Sequence, residues 1–495
     1  MAEPGTATVT PAAVSDGRVA RSFSVQLLCR GAGMVASVTS VAMTARYLGP
    51  DRYGQLTTAV VFIGLWTSLT NLGIGTVIVR RVTSGRGDLQ RLTAVNSGLS
   101  LVYCLPLAVA AAGTGWLLYD DTDVRAMLAV LASSLVMATM TSRFEPVFMV
   151  TVRFTAVAVS DLVSRVGTLA AVAWFVHSGA GLVWFAVAQL VPPAVQLVVQ
   201  GVAASRHISL RPVFAPREAA GLLRESLAQL GVIVIAVLYW RADGVILSLL
   251  SNPAEVGVYG LALTIAFNTE VLSTFFLKST LSTATELYAR DGAAFAAFLR
   301  RSVETMYLLA IPVAVVGAAL AEPLIAWLGD ADFVDRGAPA LALLFVAIAL
   351  RFVTGTLGQG LFAAHHQRFL LRLSVATLAL NVTLNLALVG RFGALGAGTA
   401  LICTELFGMA IASTRLHRVC GYRPPAGYAL RVLVPAAAAA AAAVLLAHQH
   451  VLVSAGAAVA VFAATTLAVG PIRLSTVTAA VRGRASRRQE ADHAP

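Results

Sequence analysis

The sequence predicts an all-α polytopic membrane protein of about 14 transmembrane helices, built as two parallel six-helix lobes followed by an added helix pair. Three observations lead there. Hydrophobic residues make up 58% and charged residues 12% of the 495, against roughly 25% charged in a soluble domain, so no single core could hide the apolar side chains. Apolar runs of about 20 residues recur along the chain, each long enough to cross a hydrocarbon layer roughly 30 Å thick. Finally, one Pro-x-x-x-Gly hairpin occurs in each half of the chain, as Pro50 with Gly54 and Pro253 with Gly257.

The expected spans of the first lobe, residues 23–205, are 23–45, 56–79, 92–118, 125–142, 156–177 and 182–204. Those of the second lobe, 218–418, are 225–250, 258–282, 303–322, 338–361, 369–389 and 395–415. The added pair, 429–470, supplies spans 429–447 and 450–470, the former with unbroken alanine from Ala436 to Ala443. Residues 1–22 lack a separate apolar core and cleavage site and are expected to be a disordered cytoplasmic tail instead of a signal peptide. Residues 472–495 are expected to be a basic cytoplasmic tail.

Arginine fixes the expected orientation, because it is retained on the cytoplasmic side. With the N-terminus inside, the inner connections carry Arg80, Arg81, Arg86 and Arg91, then Arg206, Arg211, Arg217 and Arg224, then Arg415, Arg418, Arg423 and Arg431. The outer connections carry only Arg46, Arg52, Arg125, Arg336 and Arg391, and gather Asp120, Asp121, Asp123, Asp330, Asp332 and Asp335. Both termini are therefore expected in the cytoplasm. The net charge of +12 describes an inner face meeting anionic lipid, with no call for a nucleic-acid partner.

Pro50 and Pro253 each follow an outward-going span, and Gly54 and Gly257 each precede the next inward-going one. Pro stops a helix and Gly frees the backbone, so any tight hairpin could show one such match. A second match, Ser178-Gly-Ala-Gly-Leu182 against Leu395-Gly-Ala-Gly-Thr399, lies six spans apart in the same sense. Parallel repeats of this kind build transporters whose substrate path runs between the halves. Cys29, Cys104, Cys403 and Cys420 have no paired spacing, which argues against disulfides and a metal site.

The run ARYLGPDRYGQLTTAVVFIGLWTSLTNLGIGTVIVRR, together with YWRADGVILSLLSNPAEVGVYGLALTIAF, resembles polysaccharide-repeat-unit flippases of the Wzx type. Their superfamily also contains lipid II flippases and multidrug and toxin extrusion transporters. The resemblance covers roughly residues 22 to 418, most specifically around Arg241, Asp243, Val256, Gly257 and Tyr259. It implies a V-shaped pair of lobes, a central cavity and alternating access, without identifying the glycan.

Charges inside the membrane cost several kcal/mol unless paired or wetted, so they mark the candidate site. They are Arg30, Asp161, Arg165, Arg241, Asp243, Glu270, Arg351 and Glu405. Asp161 and Arg165, four apart, share a helix face and read as a structural ion pair. Arg241 and Asp243, two apart, diverge, so each needs a partner elsewhere. Arg241, Glu270, Arg351 and Glu405 fall near mid-layer on four second-lobe helices, as either a cavity-facing polar cluster or a packing network.

Arg30 lies roughly 10 Å from the inner edge of a straight first helix. Guanidinium forks suit phosphate oxygens, so Arg30, Arg241 and then Arg351 are the expected contacts to a pyrophosphate head, with Trp240 beside them for a sugar ring. Asp243, Glu270, Glu405, Asp161 and Arg165 are candidates for ion coupling or a cavity network. Trp66, Trp116, Trp184 and Trp327 fit interfacial belts, His365 and His366 a solvated inner loop, and Glu145-Pro146 a helix end.

The expected function is translocation of a polyprenyl-pyrophosphate-linked oligosaccharide from the cytoplasmic to the outer leaflet of the cell membrane. Its partners are that glycolipid, membrane lipids and the polymerase and glycosyltransferases of the same pathway. The sole lysine, Lys278, follows Leu277, so the chain has no Gly-Lys-Ser/Thr phosphate loop. The longest outer connection, about residues 323 to 337, is too short for a catalytic domain. No enzyme activity and no cofactor are therefore expected. Alternatives are a proton- or sodium-coupled multidrug exporter and a lipid II flippase.

Overall fold

The computed structural model describes residues 16–468 except 152–154 and 210, with side chains from residue 31 onward. The first half contains α1 (Asp16–Thr67), α2 (Ile74–Thr83), α3 (Leu89–Leu118), α4 (Thr122–Ser142), α5 (Glu145–Thr151), α6 (Thr155–His177), α7 (Leu182–Ala188) and α8 (Val191–Ser205). The second contains α9 (Pro216–Leu250), α10 (Pro253–Asn268), α11 (Glu270–Arg290), α12 (Gly292–Ala319), α13 (Ala321–Leu328), α14 (Val334–Ala363) and α15 (Gln367–Cys420). Then come α16 (Ala426–Leu445) and α17 (Val451–Ala468).

Among the described residues, 12 helices are long and apolar enough to cross a membrane. Helices α1 and α15 run for 52 and 54 residues, roughly 80 Å and more than twice a hydrocarbon layer. Each is broken once by a glycine outside the helical region, at Gly49 (φ 69°, ψ 173°) and Gly393 (φ 52°, ψ −128°). Taken as pairs, they give the fourteen expected segments. Helix α1 begins at Asp16, so it reaches into the segment expected as a tail.

The helix starts follow from local chemistry. Asp88, Asp121, Asn252 and Asp291 lie just before α3, α4, α10 and α12, and each side chain accepts a hydrogen bond from a first-turn N–H, satisfying donors the helix cannot. Glu255, in the first turn of α10, holds the break in α15. Its carboxylate accepts from the Ala394 N–H at 2.8 Å and pairs with Arg336 at 3.2 Å.

Helices α1, α4, α6, α7 and α8 pack together, with α3 on α4, and α9, α10, α11, α12, α14 and α15 form a second bundle. The α16–α17 pair leans on α12. Leu117, Trp174, Leu430 and Val459 are exposed on the outside, an apolar surface suited to lipid and not to water. The expected outer connections gather at one end: Gln55 reaches Asp121, Tyr47 reaches the Ala180 carbonyl, Tyr119 meets Ser248, and Arg46 reaches the Trp327 carbonyl. Toward the opposite end, Arg80 and Arg81 pair with Glu225, and Arg91 with Glu218 at 2.7 Å.

Candidate functional site

The site starts from four helices of the second bundle. Arg351 of α14 donates from Nε to Glu270 Oε1 of α11 at 2.9 Å and from Nη1 to Glu405 Oε1 of α15 at 3.2 Å. The Tyr239 hydroxyl of α9 donates to the same Glu405 oxygen at 2.8 Å. Beside it, the Trp240 ring centre lies 3.2 Å from the Arg351 guanidinium carbon. Such stacking on an aromatic face spreads the cation's charge over the ring. Phe267 backs Trp240, with centroids 4.6 Å apart.

The structure brings Glu270, Arg351 and Glu405 together and places Arg241 apart from them. Successive helix residues turn by about 100°. Tyr239 and Trp240 therefore face Arg351, whereas the next residue, Arg241, is turned toward α1. Its guanidinium lies against Gly64, where an added Cβ would come within 3.3 Å of Cζ. Arg241 is exposed, and no carboxylate among the described residues forms an ion pair with it.

Asp243, two positions further on, is buried at 5% exposure. It accepts hydrogen bonds from the Tyr259 hydroxyl of α10 and from the Gly244 N–H. Arg241 and Asp243 are thus not each other's partners, as their spacing implies. Asp161 and Arg165 do pair, at 3.0 Å on α6. Arg30 lies outside the residues whose side chains are described.

A cavity of about 210 Å³ joins the two bundles, lined by Met34 and Arg165 from the first and Phe267, Asn268, Glu270, Val271 and Thr274 from the second. Arg165, paired with Asp161, and Glu270, paired with Arg351, therefore line one space from the two bundles. Arg351 is met by two carboxylates and Arg165 by one, whereas Arg241 forms no ion pair among the described residues and does not line this cavity. Tyr239 and Asn268 carry no expectation from sequence, and Tyr259 only as part of the family resemblance. Their signal is a hydroxyl or amide inside an apolar span, which costs free energy without a partner.

Residues 43–331, more than half of the chain, match the model of the polysaccharide biosynthesis protein family. The chain belongs to that family. No curated protein matches it in sequence. Among solved structures this family member is similar to a lipid II flippase, MurJ, in an inward closed conformation. The two share 12% identity with a TM-score of 0.76 over 89% of this chain and 97% of that one. It is also similar to a multidrug resistance MATE family transporter of the MOP superfamily in an inward-facing conformation: 13% identity, TM-score 0.64, 80% and 98% covered. A third likeness is to a mutant of the Vibrio cholerae MATE transporter VcmN: 13% identity, TM-score 0.54, 81% and 98% covered. These likenesses establish the fold that lipid II flippases and MATE transporters share.

Proposed function

We propose that this protein moves a polyprenyl-pyrophosphate-linked oligosaccharide from the cytoplasmic to the outer leaflet of the cell membrane by alternating access, for assembly of a cell-surface polysaccharide. Membership of a polysaccharide biosynthesis family supports the class of cargo. The observation that carries the reading is Arg241: a guanidinium on a membrane helix at the seam between bundles, exposed and in no ion pair among the described residues. An unpaired cation there is tolerated where water or an anionic cargo meets it. A diphosphate provides oxygens that its planar fork can grip in pairs.

The arginine-rich end is assigned to the cytoplasm, so the hairpins at Pro50 and Pro253 face outward. Anionic lipid on the cytoplasmic leaflet holds that basic end. The described cavity is smaller than the roughly 300 Å³ at which ligand pockets begin. It accepts a head group, and the bundles part further to pass the glycan while the polyprenyl chain stays in the bilayer. Arg30, Arg351 and Trp240 are secondary contacts, and the pathway's polymerase and glycosyltransferases act on what is delivered.

One observation favours a second reading, a proton- or sodium-coupled exporter of cationic compounds. Glu270 and Glu405 outnumber Arg351 in the cluster, and an excess carboxylate at the cavity wall suits a cation. The same carboxylates can serve as ion-coupling groups for the flippase.

The two are separated by reconstituting the protein in vesicles with a fluorescent polyprenyl-pyrophosphate oligosaccharide in one set and a cationic dye in the other. Glycolipid translocation above empty vesicles supports the flippase. Dye expulsion with glycolipid at the empty-vesicle level overturns it.

A further inference from the structure

We infer that the repeated Pro-x-x-x-Gly hairpins are the two halves of one backbone latch, each copy closing on the other to shut one end of the seam between bundles. This inference deepens the alternating-access reading and rests on it for its role in the cycle. The contact is reciprocal. A Cβ added at Gly54 would run into the carbonyl oxygen of Pro253, and one added at Gly257 would run into the carbonyl oxygen of Pro50. The same added atom on Gly257 would lie 2.9 Å from the Gly54 nitrogen. Each motif therefore supplies both the bare glycine and the carbonyl that the other needs, as in a two-fold interface where one patch meets its own copy.

Below the latch the seam stays closed in the same register. A Cβ on Gly260 of α10 would come within 2.6 Å of Thr57, and one on Gly244 of α9 within 2.9 Å of Val61. Residues 50, 54, 57, 61 and 64 of α1 form one stripe of a helix, spaced by three and four. The stripe ends at Gly64, under Arg241. It covers about 21 Å, close to two-thirds of a hydrocarbon layer. Helices in lipid approach this closely only where small residues let backbones touch.

Backbone contact between glycines has no side chains to adapt, so the latch is either seated or broken. The inference assigns the seated state to the form shut at the hairpin end. Separation of Gly54 from Gly257 then accompanies opening of that end.

The test places spin labels on Asp123→Cys and Asp332→Cys, exposed residues of opposite bundles at the hairpin end, in full-length protein with Cys29, Cys104, Cys403 and Cys420 replaced by serine. Distances are read in nanodiscs. A short distance should dominate with both glycines present. Gly54→Ala and Gly257→Ala should each move population to a longer distance, while Gly31→Ala, with nothing within 4 Å of its added Cβ, should leave it in place. An unchanged distribution in a folded Gly54→Ala or Gly257→Ala protein overturns the latch.

A second measurement keeps both glycines. Asp51→Cys and Ala254→Cys line one cavity of about 430 Å³ and are joined by a reducible bifunctional thiol reagent. The bridge should stop glycolipid translocation and reductant should restore it. Wild-type transport through the bridged protein overturns the latch. Absence of transport before bridging counts against the cargo reading alone, since the distances report without cargo.

Discussion

Arg351 donates to Glu405 across 3.2 Å, and that carboxylate is only 3% exposed. With Glu270 on the other side of the guanidinium, three helices are tied at one point inside the membrane region. The tie engages the Nε and Nη1 donors of Arg351, which is why it ranks below Arg241 as a proposed anion contact.

Arg351→Met should therefore destabilise the fold by about 3 kcal/mol, because it leaves a buried carboxylate without its cation. Adding Glu405→Leu should recover much of that loss. Thermal unfolding in detergent, followed by tryptophan fluorescence, measures both.

Arg241→Ala should behave in the opposite way. It removes no ion pair, so the unfolding temperature should stay near wild type. Glycolipid translocation should fall about tenfold or more, the scale of one lost charge-assisted hydrogen bond. Initial translocation rates in vesicles, matched for protein content, give the comparison.

Tyr259→Phe deletes the hydroxyl that donates to buried Asp243 while keeping the ring. The carboxylate keeps the Gly244 N–H but loses its side-chain donor. A cost of about 1 to 3 kcal/mol follows, and the unfolding temperature of the single variant should drop accordingly.

Gly393→Ala tests the break in α15. The glycine has φ 52° with ψ −128° and sits under the Glu255 side chain. Alanine there combines backbone strain of about 1 to 3 kcal/mol with displacement of Glu255. Lower thermal stability is expected, more than from Gly390→Ala three residues earlier, where an added Cβ meets nothing within 4 Å.

Much of this architecture was legible in the chain. Span length gave the helical segments, and Pro50 with Gly54 marked the boundary between the first two, which the structure joins at Gly49 into one long helix. Spacing also foretold that Asp161 meets Arg165 and that Arg241 and Asp243 diverge. Which way α9 is rotated was not legible, since polar residues at 239, 241 and 243 allow several assignments to facing helices. The hairpin repeat was visible, yet a duplicated motif does not say whether its copies touch each other or merely occupy matching places. That depends on how the bundles dock, and Gly54 against Gly257 is a contact made only by docking.

The central claim is that a lipid-linked diphosphate enters the space between bundles. Its most direct measurement replaces Thr274, which lines the cavity, with a photoreactive residue and irradiates the protein with a radiolabelled polyprenyl-pyrophosphate oligosaccharide. Leu386, exposed on the outside, serves as the comparison position. Crosslinking at Thr274 that unlabelled glycolipid competes away and that Arg241→Ala diminishes is the predicted result. Label that appears equally at Leu386, or at Thr274 regardless of competitor and of Arg241, would contradict it.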